Sequence, residues 1–148
     1  MKKIIIYTDG GSRGNPGPAA TGVVFCNEQG QEIKKYSQFI GDATNNEAEY
    51  QAVIFAIKKF KQIFGKKLAK NSEIELRSDS ELLVKQLNGE YKILEPKIQL
   101  LFLKAWNLKL DFKKVKLRLI SRERNKVADR LVNEALDSYQ KQKVLASL

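Results

Sequence analysis

Three strand-like segments follow one another at the start of this chain before any helical pattern appears. After that, helices and strands alternate. This order restricts the fold more than any single residue does. Residues 3–9, 21–26 and 31–40 read as strands from their β-branched and alternating residues, with Asn27-Glu28-Gln29-Gly30 as a turn between the last two. Such a meander pairs antiparallel. The strands expected at 73–77 and 115–120 are each preceded by helical segments, so they can join the sheet only through crossovers, which run parallel and right-handed.

The helical segments are set by apolar spacing. Over 45–64, Tyr50, Val53, Ile54, Ile57, Phe60 and Phe64 recur with helical period, and Lys58, Lys59 and Lys61 supply a wet side. Residues 66–72 read as a polar connection. A short helix opens at Ser78-Asp79-Ser80 and stops at Asn88-Gly89. Pro96 suits the first turn of the next helix, which runs to about residue 110 and is expected to place Trp106 in the core. The closing helix carries Ala128, Leu131, Val132, Ala135, Leu136 and Tyr139 on one face. The order is βββαβααβα: an α/β chain with a five-stranded mixed sheet flanked by helices. One domain is expected over 1–140, followed by a tail at 141–148.

Ligands in such sheets gather outside the carboxyl ends of the parallel strands, and Asp9 and Asp79 stand there. Asp9 ends an apolar strand and is followed by four glycines, a proline and an asparagine between Gly10 and Gly17. Glycine lets a ligand come close to the backbone, although Asp-Gly is also a turn signal. Glu47, Asp79 and Asp129 each have a structural alternative. Thr44-x-x-Glu47 and Ser78-x-x-Glu81 have the form of capping boxes, and Asp129 lies where a helix dipole favours an anion.

The chain has 27 basic and 17 acidic residues, a net charge of +10, one cysteine and no histidine. The charge favours a polyanionic partner. A lone Cys26 permits no intrachain disulfide and reads as core. Without histidine, a Cys/His zinc site is excluded. The N-terminal apolar run is too short for a signal peptide, no stretch approaches a membrane span, and a cytoplasmic location is the default. Four carboxylates gathered on one sheet edge would repel one another without a cation. Hard cations such as Mg²⁺ take carboxylate oxygens, and a pair about 4 Å apart serves in-line phosphoryl displacement.

The chain resembles type 1 ribonuclease H over nearly its whole length. The motifs that carry this are Tyr7-Thr8-Asp9-Gly10-Gly11-Ser12-Arg13-Gly14-Asn15-Pro16-Gly17, Thr44-Asn45-Asn46-Glu47-Ala48-Glu49, Ser78-Asp79-Ser80 and Arg122-Glu123-Arg124-Asn125-Lys126-Val127-Ala128-Asp129. The resemblance implies a ribonuclease H-like fold and an endonuclease that cleaves the RNA strand of RNA–DNA hybrids by two-metal-ion hydrolysis, leaving 5′-phosphate and 3′-hydroxyl ends. It implies two Mg²⁺ ions, with Mn²⁺ as a substitute. Asp9 would bridge them, Glu47 and Asp79 would hold the leaving-group-side ion, and Asp129 the water-side ion. Glu47 would also meet a ribose 2′-hydroxyl, the group that separates RNA from DNA.

By the same resemblance Gly10, Gly11, Ser12, Asn15, Asn45 and Asn46 would line the minor groove of the hybrid. Thr44 and Arg13 would hold a DNA-strand phosphate, and Lys92 falls in a segment like the family's after its second helix. Two departures stand out. Many members carry a loop histidine before the last carboxylate; Arg122, Glu123 and Arg124 stand there instead, so Arg122 or Glu123 is the auxiliary candidate. Some members add a basic helix, for which residues 89–95 are too few. The expected partner is an RNA–DNA hybrid, with no membrane and a monomeric state. The competing readings are a non-catalytic nucleic-acid-binding module and a DNA-directed resolvase or exonuclease of the same fold; the glycine–asparagine surface argues against the latter.

Overall fold

The computed structural model describes residues 2–148; Met1, the first residue of the expected domain, lies outside the described residues. Strands β1 (Lys2–Ser12), β2 (Gly17–Cys26) and β3 (Glu32–Ala43) form the antiparallel meander. Helix α1 (Asn45–Phe64) and a short α2 (Lys66–Lys70) lead to β4 (Ser72–Ser78). Helices α3 (Glu81–Leu87) and α4 (Pro96–Lys109) lead to β5 (Lys114–Leu119). A single 3-10 turn, Arg122–Asn125, then runs straight into α5 (Lys126–Ala146). The sheet order is β3-β2-β1-β4-β5, and β4 lies parallel to both β1 and β5. The mixed sheet expected from the order of patterns is the one observed.

Alternation in β1 divides the core between the two faces of the sheet. Ile4 and Ile6 point to one side with Val23, Phe25, Ile74 and Leu76, where they meet Tyr50, Val53, Ile57 and Phe60 of α1; α4 closes that side through Ile98, Leu101 and Ala105. Ile5 points the other way with Val24 and Cys26, under Ala128 and Leu131 of α5. Cys26 is a buried free thiol, as its strand position predicts. α5 lies close on the sheet because β2 carries Gly22, where any Cβ would overlap the carbonyl of Ala128. Burying a large aliphatic side chain contributes about 1.5–3 kcal/mol, so the larger cluster under α1 dominates stability.

The structure departs from the sequence expectations in several places. Residues 66–70 are helical rather than a plain connection, because Ala69 finds a buried place under the main core. β3 continues past residue 40 through a bulge, with Gly41 at φ +82°, a region open to glycine. Trp106 is 42% exposed rather than core, since the sheet side of α4 is already filled by Ile98, Leu101 and Ala105. α3 begins two residues later than a Ser78–Glu81 capping box requires. Ser80 is the N-cap, accepting from the Leu83 N–H at 3.2 Å, while the Ser78 hydroxyl accepts from the Ser80 N–H at 3.0 Å. α5 runs unbroken through residues 141–146, with Val144, Leu145 and Leu148 exposed.

Candidate active site

β1 and β4 bring two carboxylates to one edge. Their parallel register ends at Tyr7↔Arg77, so Asp9 and Asp79 stand level, two residues further on. α1 brings a third. Gly10 has no Cβ, and one placed there would overlap the backbone of Ala48 and Glu49. The first turns of α1 therefore sit directly on β1, and the Gly10 N–H donates to Glu49 Oε1 at 2.7 Å. Asp9, Glu49 and Asp79 each offer an oxygen within 4.8 Å of the others. Asp129, in the first turn of α5, lines the same cleft, whose volume is about 660 Å³.

The electrostatics of this cluster are those of acids crowded together. Burial, then the charges of Asp79 and Asp129, push Asp9 up to about 7. Burial, then Asp9 and Asp79, hold Glu49 well above the usual carboxylate range, against the lowering effect of the Gly10 N–H. Burial also raises Asp79, although the Arg122 guanidinium and Asn125 amide work against the rise. A site of hard oxygen donors with unrelieved negative charge fits a divalent cation of the Mg²⁺ class.

Glu47 is not in this cluster. Its carboxylate accepts from the Thr44 N–H at 3.0 Å, and the Thr44 hydroxyl accepts from the Glu47 N–H at 3.1 Å, which completes the capping box. Residues two apart on a helix point about 200° from each other, so Glu47 and Glu49 cannot both face β1. Glu47 lines a separate groove with Lys97 and Leu100. The carboxylate that α1 brings to Asp9 and Asp79 is therefore Glu49, in place of the expected Glu47. The signal was present in the chain: Glu49 shares the sheet-facing stripe of Val53, Ala56, Ile57 and Phe60, whereas Glu47 is in phase with Gln51.

The glycine-rich turn and the start of α1 are tied together. Asn45 Oδ1 accepts from the Ser12 N–H at 2.9 Å, and Asn15 Oδ1 accepts from the Asn45 N–H at 3.0 Å. Gly10, Gly11, Ser12, Asn45 and Asn46 line the cleft beside the carboxylates. Arg13 also borders it, but its guanidinium donates to Asp137 at 2.6 Å and to Gln140 at 3.1 Å, which clasps the turn to α5. Thr44 is committed to capping α1, and exposed Lys92 lies in the loop after α3, away from the cleft lining. Of the two auxiliary candidates, Arg122 lines the cleft beside Asp79, whereas Glu123 is exposed and outside it.

Asn125 is a residue that the sequence reading passed over. It is buried at 1% exposure, and its amide donates to the Thr8 carbonyl at 2.9 Å. It also bears on Asp79 and stands four residues before Asp129. This side chain thus ties the turn before α5 to β1. Its cue was weak: an asparagine in a charged run looks like solvated loop until the 3-10 turn folds it inward.

Comparison with known proteins gives a consistent pattern. A family model described as reverse transcriptase-like matches residues 7–135. Ribonuclease HI of Halobacterium salinarum is 40% identical over 135 residues, covering 91% of this chain and 65% of that protein. A bifunctional protein of Mycobacterium tuberculosis is 36% identical over 92% of this chain, which spans only 36% of that protein's length. The crystal structure of the Halobacterium ribonuclease H1 superposes with a TM-score of 0.85, covering 92% of this chain and 98% of that one. LC11-RNase H1, solved in complex with an RNA/DNA hybrid, is 46% identical with a TM-score of 0.88, covering 93% of this chain and 99% of that one.

Proposed function

The chain belongs to the type 1 ribonuclease H family, and from that premise we propose that it hydrolyses the RNA strand of RNA–DNA hybrids. It does so as an endonuclease that leaves 5′-phosphate and 3′-hydroxyl ends. The observation that carries this reading is the carboxylate cluster of Asp9, Glu49 and Asp79 at the floor of a cleft edged by exposed backbone and asparagine amides. Magnesium ions held there would supply an activated water and neutralise charge on the phosphate. Asp9, Glu49 and Asp79 would hold them, with Asp129 completing the set from α5.

The residues around the cluster bind and orient. The Asn45 and Asn46 side chains can both donate and accept, as a ribose 2′-hydroxyl requires. Glu49 adds an acceptor at the same edge. Arg122 places a positive charge beside Asp79, where the phosphate of a bound strand would pass. Asn125 holds Thr8, and with it the end of β1, against the start of α5. The net charge of +10 supports binding to phosphates through scattered contacts that weaken as salt rises. A monomer working in the cytoplasm is part of the same proposal; among the described residues no helix is long and apolar enough to cross a membrane.

The test is cleavage of a hybrid with labelled RNA by wild type and Asp9→Asn, each with Mg²⁺, Mn²⁺ or EDTA, beside single-stranded RNA and duplex DNA. The reading expects metal-dependent cutting of hybrid RNA alone, lost in Asp9→Asn. Hybrid binding without cutting under either metal would replace it with a binding module.

A further inference from the structure

α4 carries an apolar stripe that the rest of the chain leaves uncovered. Its inner side packs Ile98, Leu101 and Ala105 into the core. At about 100° per residue, Leu100, Leu103, Trp106 and Leu110 fall in one outer band. They are 66%, 52%, 42% and 62% exposed. Single exposed leucines are ordinary, but a stripe of them edged by a half-exposed tryptophan marks an interaction surface.

Charge defines what would cover it. Lys97 and Lys104 run along one side of the band and Lys109 along the other. Lys97 and Lys104 join Leu100 and Leu103 in lining a groove of about 380 Å³ between α4 and α1. Among the described residues none of these three lysines forms an ion pair. The one acid of the groove, Glu47, is engaged by the Thr44 N–H. The stripe therefore sits in a positive frame with no counter-charge of its own.

We propose that this face of α4 docks an acidic amphipathic helix from a partner protein. Apolar side chains of the partner pack on Leu100, Leu103 and Trp106, and its carboxylates meet Lys97, Lys104 and Lys109. Helix-in-groove recognition uses anchors at i, i+3, i+4 and i+7, the spacing that this stripe complements. A second copy of the chain would set lysine against lysine at a net charge of +10 per copy. A nucleic-acid strand would satisfy the lysines and leave the leucines unpartnered.

Trp106 is the only tryptophan in the chain; it edges the stripe on one side and a crevice with Leu87, Val115 and Leu117 on the other, so a change in its emission is assigned to the stripe by the variants below. The probe is an acetylated, amidated 18-residue helical peptide with leucines at i, i+3, i+4 and i+7 and glutamates on the flanks. The control carries lysine for every glutamate. The glutamate peptide is expected to shift Trp106 emission to the blue and to saturate with a Kd on the order of micromolar. The lysine peptide produces no such shift. Leu100→Ser/Leu103→Ser and Lys97→Glu/Lys104→Glu each weaken binding by about tenfold or more, with circular dichroism unchanged. Because the groove and the carboxylate cleft share no lining residue, Leu100→Ser/Leu103→Ser leaves hybrid cleavage unchanged. The proposal is overturned by no saturable shift with the glutamate peptide, by an equal shift with the lysine peptide, or by unaltered affinity in both double variants. It is equally overturned if the protein alone sediments as a dimer that Leu100→Ser/Leu103→Ser dissolves, or if RNA–DNA hybrid shifts Trp106 where the glutamate peptide does not.

Discussion

Replacing Asp9 by Asn should make the metal-free protein more stable while it removes activity. Asp9 titrates at about 7 in the folded chain, against an ordinary value of 3.8, because burial and the neighbouring acids disfavour its charge. Between those two values the folded state holds a proton that the unfolded chain has already lost. Stability therefore falls as pH rises from about 4 to about 7 and is then level. At about 1.4 kcal/mol per pH unit the ionised carboxylate destabilises the fold by at most about 4 kcal/mol, and water entering the cleft brings that nearer 2. For a chain of 148 residues each kcal/mol moves Tm by about 2–4 °C. Melting followed by circular dichroism in EDTA should show Asp9→Asn level with wild type at pH 4 and about 4–8 °C above it at pH 8. Adding Mg²⁺ should close the gap by raising wild type alone. A gap of the same size at both pH values, or a variant less stable than wild type at pH 8, would refute the reasoning.

Five further substitutions separate the roles of neighbouring residues. Glu49→Gln should reduce hybrid cleavage by a factor on the order of 100 or more, whereas Glu47→Gln should retain the rate and lose about 1 kcal/mol of stability from the α1 cap; steady-state kinetics and urea melts decide between them. Gly10→Ala should lower stability by about 2–4 kcal/mol by driving α1 off β1, and calorimetry should show weaker Mg²⁺ binding in the same variant. Arg122→Ala should lower kcat by about tenfold with Glu123→Gln within about twofold of wild type. An unchanged rate in both would leave no substitute for the missing histidine in this loop.

The sheet was legible because its determinants are local. Each strand and helix carries its own period, and the crossover rules leave few ways to join them. Asp9 and Asp79 were legible for the same reason, since strand ends are visible in the apolar runs that precede them. Glu47 and Glu49 were harder to separate. A motif places both at the start of α1, but only the rotational phase of the helix against β1 decides which one faces Asp9, and Glu47 already answers to a competing local signal from Thr44. Trp106 misled because apolarity does not say which side of α4 the core has room for. Ala69 turned a polar connection into a helix by a tertiary contact that no short window contains.

Asp9 on β1 and Asp79 just past the end of β4 belong to neighbouring interior strands of the sheet, and the helix that carries Glu49 seals the larger core. These three residues can separate only when the most protected part of the molecule opens. Amide exchange at Ile6, Tyr7 and Leu76 should therefore proceed by global unfolding. Asp129 and Arg122 belong to a different regime, an exposed helix start and a single 3-10 turn at the rim. Asn125 ties this rim to β1, while the floor holds its spacing for as long as the protein stays folded.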